Sequence, residues 1–166
     1  MSNAVELTVT CEDFLRDNPH LYAHKARRKK IALIGVQAAN PSSAEVRIEL
    51  GATKLLVGKQ DYAVESPGII IRKFSEFTWD FLVYSILVFQ PALLFVDAFF
   101  FLSGPLYNRR LKKQLHLLSD SEMVVGPGDC KKAILAFRGV PKGAMQLVLH
   151  YHSDGREREQ ITCEIR

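Results

Sequence analysis

Cysteine is scarce. Cys11, Cys130 and Cys163 are the only three in 166 residues, too few for a disulfide framework and without the close paired spacing of a zinc site. At most one disulfide can form, with Cys130 and Cys163 the pair to consider if their strands lie side by side; buried free thiols are the expected state. Metal-ligand patterns are equally thin. His150 and His152 stand two apart on an expected strand and so share a face, but no third ligand stands near them, and no metal or cofactor is expected. Serine nucleophile elbows, phosphate loops, dinucleotide fingerprints and His-Glu-x-x-His patterns are missing. Gly126-Pro127-Gly128 leads into a strand rather than a helix and is read as a turn. His20 and His24 lie close to Cys11 in sequence without an orienting third group. No catalytic residue is therefore assigned, and the chain is expected not to be an enzyme.

Long apolar runs are also limited. Residues 1–18 hold no apolar segment of the kind a cleavable signal peptide needs; Ser2-Asn3-Ala4 matches the scar that tag removal leaves, which leaves room for an export signal upstream. Residues 81–96 carry no formal charge, but a spanning helix needs about 20 apolar residues. Gln90-Pro91 in the middle and Asp97 just beyond count further against a span, since a carboxylate at bilayer depth costs about 2.5 to 3.5 kcal/mol. Net charge is only +4, with a pI near 9.0. The excess gathers at Lys25 to Lys30 and Arg109 to Lys113. Neither run interleaves aromatics and glycines as single-strand platforms do, and no helix-turn-helix or zinc-finger spacing accompanies them, so nucleic acid is not an expected partner.

What is present is ordinary globular composition, 48% hydrophobic and 24% charged, in a chain long enough for one domain with a self-sufficient core. Val5, Leu7 and Val9 alternate with polar residues as an opening edge strand. Glu12 to Tyr22 reads as a short helical turn or loop. Ile31 to Val36 and Val46 to Leu50 flank Asn40-Pro41-Ser42-Ser43, which predicts a hairpin. Leu55 to Val57, a turn at Gly58 and Tyr62 to Val64 follow; Ser66-Pro67-Gly68 then closes the unit, and Ile69 to Ile71 opens another strand. Near the C-terminus the pattern predicts strands over Lys132 to Phe137, Met145 to Tyr151 and Glu159 to Ile165, with Asp154-Gly155 as a hairpin turn. Short strands at this spacing predict a mainly β, antiparallel sandwich.

Between the β-rich stretches the period changes. Phe77 to Phe89 crowd aromatic and aliphatic residues without a turn signal, Pro91 suits the first turn of a helix over Ala92 to Leu102, and Ser103-Gly104-Pro105 ends it. Leu111, Leu115 and Leu118 then recur at helical spacing beside Arg109, Arg110, Lys112 and Lys113, a basic amphipathic pattern. The expected organisation is one domain over 1–166, a β-sandwich from 4–72 and 122–166 with an α-helical hairpin insertion at 74–120.

The strand order from Ile31 to Val36 through the Asn40-Pro41-Ser42-Ser43 turn, Val46 to Leu50, Leu55 to Val57 with Tyr62, and on to Gly126-Pro127-Gly128, Lys132 to Phe137 and the closing hairpin resembles bacterial extracytoplasmic immunoglobulin-like domains. The resemblance covers Ala4 to Val64 and Val124 to Arg166. It implies an immunoglobulin-like sandwich acting as a binding or assembly module of the cell envelope, periplasmic or membrane-associated, with a cytoplasmic location as the alternative. The block from Phe74 to Leu118 departs from it.

Three readings of that block stay open: it covers one face of the sandwich as core, it offers an apolar patch to a protein partner or to a second copy in a homodimer, or it dips into one leaflet of a membrane. In the membrane or partner reading, Trp79, Tyr84, Phe99, Phe100 and Tyr107 make the apolar and interfacial contacts while Arg109, Arg110, Lys112 and Lys113 meet anionic lipid. The alternative is a carrier of a small apolar ligand, in a pocket between insertion and sandwich lined by Phe81, Phe89, Phe95, Phe99 and Phe100.

Overall fold

Alternating apolar residues make strands whose two faces differ, and in this chain most of the alternating segments find partners in two antiparallel sheets. The computed structural model describes residues 7–17, 23–75, 106–141, 143–153 and 158–165. The first sheet holds β1 (Thr8–Asp13), β2 (Ile31–Ala39) and β7 (Cys130–Arg138), in the order β1-β2-β7. The second runs β5 (Gln60–Ala63), β4 (Lys54–Val57), β8 (Met145–Ser153), β3 (Val46–Glu49) and β6 (Glu122–Val125), with β9 (Glu159–Glu164) also paired to β8. The chain divides into two compact units, residues 1–70 with 117–166, and residues 71–116.

Both sheets belong to the first unit and share one hydrophobic core. Ile34, Val36, Leu135 and Phe137 enter it from the first sheet; Val46, Ile48, Leu55, Leu147 and Leu149 enter from the second. The described part is thus mainly β and compatible with a β-sandwich. The long central strands β2 and β7 are apolar on both faces, because Ile31, Leu33, Ile134 and Ala136 on the outer side are buried as well. Helices α1 (Phe14–Asp17) and α2 (Ala23–Arg28) pack on β2, contributing buried Leu15 and Ala26. Asp13 starts α1 by accepting a hydrogen bond at Oδ1 from the Leu15 N–H, 3.0 Å, as N-terminal capping carboxylates do. Lys30 follows α2 at φ 52°, the left-handed position usually given to glycine.

Strands β3 and β4 lie along the same edge of β8. Ile48 pairs with Tyr151, but Lys54 pairs with Val148, a register slip of three residues. The slip equals the length of the 3-10 turn Leu50–Ala52, so β3 and β4 behave as one strand with a three-residue bulge. Gly51 permits it: a Cβ there would stand 2.7 Å from the Asp120 carbonyl oxygen.

The hairpin expected between β2 and β3 does not form. β2 pairs with β1 and β7, whereas β3 pairs with β6 and β8, and the Asn40–Glu45 connection crosses from one sheet to the other. Asn40 is the physical reason. Its side chain, 1% exposed, donates from Nδ2 to the carbonyls of Ala44, Val125 and Gly126 at 2.7, 3.0 and 3.2 Å. Its backbone N–H donates to Asp129 O, and its own carbonyl accepts from Gly128 N–H. The turn residues thus clamp the β2 exit to the β6–β7 turn instead of reversing the chain on itself.

A second correction concerns Ile69 to Ile71, expected as a strand. They lie in α3 (Pro67–Phe74). Ser66-Pro67 starts a helix rather than closing a turn, because proline at the first helical position loses nothing by lacking an N–H; the Ser66 carbonyl accepts from the N–H groups of Ile69 and Ile70. Ile70 and Phe74, four apart, are buried, and Ile69 is 46% exposed. Strand β6 had no counterpart in the sequence pattern. Its alternation is only two residues long, Met123 and Val125 being buried. The β4–β5 and β8–β9 hairpins form as expected, the former through Gly58 at φ 63°. The Asp154-Gly155 turn lies outside the described residues.

The outer edge of β7 is not left open. Val64 and Leu118 bridge to Phe137 and Ile134, while Glu65 and Ser119 donate to the carbonyls of Ala136 and Ile134 at 2.8 and 3.0 Å. Pairing of this kind removes an exposed edge that would recruit other chains.

Candidate functional site

The basic amphipathic pattern is realised as α4, residues 106–114, within the unit formed by residues 71–116. Leu111 and Leu115 are buried, whereas Arg109, Arg110, Lys112 and Lys113 are all exposed. A helix with 3.6 residues per turn puts positions four apart on one face, so the two leucines take the inner stripe and the cations project outward. Tyr107 is half-buried and Leu106 is 56% exposed. His116 Nδ1 lies 2.7 Å from the Lys113 carbonyl, a contact that closes the last turn. The expected helix up to Leu118 ends earlier, because residues 115–117 turn and Leu118 joins the edge of β7.

The other residues expected to carry function fall outside the described residues. These are Trp79, Tyr84, Phe99 and Phe100 of the contact set, and Phe81, Phe89 and Phe95 of the apolar-pocket set. Among the described residues no helix is long and apolar enough to cross a membrane.

A cavity of about 700 Å³ opens in the first unit, along the neighbouring edges of the two sheets. Its lining mixes charge with apolar surface: Glu12, Arg16, Lys132 and Glu164 around Cys11 and Cys163. That character differs from the phenylalanine-lined pocket expected from sequence. Sequence reasoning assigned none of these residues a role, and one signal pointed to the place. Gly35 interrupts an apolar strand, which often marks a close approach; it pairs with Glu12 across β1 and β2, and a Cβ on it would stand 3.0 Å from Glu12 Cγ.

The cysteines depart from the expectation of three buried thiols. All are free, but only Cys11 is buried; Cys163 is half-buried and Cys130 exposed. Cys130 opens β7 in the first sheet and Cys163 lies on β9 in the second, so they are not strand neighbours. Cys163 instead faces β1, where its Sγ lies 3.7 Å from the Val9 carbonyl.

His150 and His152 do share a face of β8, both half-buried. His152 stands between two carboxylates, with Nδ1 3.7 Å from Glu49 and Nε2 3.9 Å from Glu122, and Arg158 binds Glu49 from the other side. The geometry is that of a surface ion cluster. Among the described residues no three His, Cys, Asp or Glu side chains are arranged to hold a metal. On the same sheet Lys54 Nζ lies 2.9 Å from Asp61, and this hydrogen bond with its charge lowers the Asp61 carboxyl below its ordinary range.

Comparison with known protein families finds no match, and no curated protein matches the chain.

Proposed function

We propose that this chain is an immunoglobulin-like sandwich that works as a non-enzymatic binding module, docking on an anionic membrane surface through the segment between its β-rich stretches. The observation that carries the reading is α4: four cations exposed along nine helical residues, with Leu111 and, just past the helix, Leu115 buried, directly after the most apolar stretch of the sequence. Each basic residue held near an anionic bilayer contributes on the order of 1 kcal/mol. Four together favour the surface by about 4 kcal/mol at most, weakened by salt. The apolar residues before α4, Trp79, Tyr84, Phe99 and Phe100 among them, supply the interfacial contacts. Two sheets closed about one core support a scaffold that presents such a segment, and the protonated, buried Cys11 thiol fits binding better than thiol catalysis.

Co-sedimentation with vesicles tests this. The full chain is expected to pellet with phosphatidylglycerol vesicles, to release as salt rises, and to bind phosphatidylcholine vesicles at least about tenfold less, the ratio that a 1.4 kcal/mol difference gives. Replacing Arg109, Arg110, Lys112 and Lys113 together by glutamine should bring the two lipids level. Equal binding of the unaltered chain to both lipids, or unchanged binding of the quadruple variant, would refute the proposal.

A further inference from the structure

Two sulfurs from opposite sheets meet at one cavity. Among the described residues, β1 is an edge strand of the first sheet, β9 is paired only to β8 in the second, and the two edges lie against each other. On β1 the inward positions are Val9 and Cys11, which pair with Ala38 and Val36 of the core face. Cys163 reaches across from β9, with its thiol within hydrogen-bond range of Val9 O at 3.7 Å, two residues from Cys11 along the same inward face of β1. Both cysteines line the same cavity of about 700 Å³, a volume in the range that admits a small organic molecule.

We infer that Cys11 and Cys163 form a disulfide-forming pair, a modification site that staples the edge of one sheet to the edge of the other when a small-molecule disulfide is present. This goes beyond the membrane-docking reading and stands or falls separately from it. The half-buried Cys163 gives up its proton to water, and its sulfur attacks one sulfur of the external disulfide RSSR and releases RS⁻. Cys11, losing its proton in turn, attacks the mixed disulfide at Cys163 and releases the second RS⁻. One protein S–S bond forms and one external S–S bond breaks; two electrons pass to RSSR, and the two protons leave with two RSH molecules. The order of attack follows from exposure. Burial, then the hydrogen bond and charge of Cys163, push the Cys11 thiol above the ordinary thiol range, which makes it the slower, resolving partner. Cys130, exposed at the start of β7, has no partner cysteine on its own sheet edge and is expected to stop at a mixed disulfide.

Peptide mapping of the full chain tests the pairing. The reduced protein is incubated with glutathione disulfide, quenched with acid, alkylated, digested and weighed by mass spectrometry. The expected product carries a Cys11–Cys163 cross-linked peptide, two hydrogens lighter than its parts, and one glutathione on Cys130. Cys11→Ser is expected to trap glutathione on Cys163, and Cys163→Ser to leave residue 11 as a free thiol. If either variant fails to fold, the unaltered chain decides alone. A stable glutathione adduct on Cys163 of the unaltered protein, a cross-link involving Cys130, or full alkylation of both Cys11 and Cys163 would each overturn the inference.

Discussion

Replacing Asn40 by alanine is the sharpest test of how the two sheets are tied. The side chain is 1% exposed, and its two Nδ2 hydrogens serve three carbonyls, those of Ala44, Val125 and Gly126. Its Oδ1 accepts from the Ser42 N–H and hydroxyl at 3.1 and 2.6 Å. Ser42 is half-buried and can turn to water, so the cost concentrates on the carbonyls. The buried Val125 oxygen loses its Asn40 donor, worth about 1 to 3 kcal/mol, and the remaining bonds add about 1 kcal/mol. The sum, about 3 kcal/mol, is a large share of the roughly 5 to 15 kcal/mol that holds a domain folded. It corresponds to a fall in Tm of roughly 6 to 12 °C for a chain of this size. Urea denaturation followed by circular dichroism, with the slope checked for constancy, reads the loss directly. Asn40→Asp keeps the shape and the acceptor but turns a carboxylate on the same carbonyls, and is expected to lose at least as much. A loss below about 1 kcal/mol for both variants, the net worth of a single ordinary hydrogen bond, would show that Asn40 does not clamp the crossover.

Two further perturbations address packing and pH. Gly51→Ala places a methyl 2.7 Å from the Asp120 carbonyl oxygen, so backbone must shift, and a thermal melt should show a loss of about 1 to 3 kcal/mol; an unchanged Tm would mean that the three-residue bulge between β3 and β4 is loose. Tyr151 donates its hydroxyl to Glu159, and burial, with that hydrogen bond and charge, raises its phenol from 10.0 to about 12. The unfolded chain therefore loses this proton first: the contribution is fully present below pH 10 and is lost as pH rises through 12. Urea midpoints across that window should fall less steeply for Tyr151→Phe than for the unaltered chain, and parallel curves would refute the assignment.

Local pattern carried much of the β structure. Leu147, Leu149 and Tyr151 alternate on β8 and return against β9, and Gly58 supplies the turn between β4 and β5; each needs only near neighbours in sequence. The errors arose where the deciding partner is distant. Asn40-Pro41-Ser42-Ser43 has the composition of a hairpin turn, and nothing in it reveals that the carbonyls waiting for Asn40 belong to Val125 and Gly126. Ile69 to Ile71 have strand-like β-branched side chains, which the helix-starting Ser66-Pro67 and the spacing of Ile70 and Phe74 overrode. Of the candidate site, the cation row Arg109 to Lys113 was legible because an amphipathic helix announces itself through its own period. The Cys11 and Cys163 meeting was not, since those residues stand at opposite ends of the chain.

The sequence by itself determined that this is a mainly β protein with cysteines too few for a disulfide framework, and that a basic helical face follows its most apolar stretch. Those properties reside in composition and in periods of 2 and 3.6 residues, which every short segment carries within itself. Tertiary structure alone decided which strands pair, which sheet each joins, and which cysteine meets which. Those outcomes depend on hydrogen-bond partners and apolar faces contributed by residues far away along the chain, and a linear pattern holds no record of that closeness.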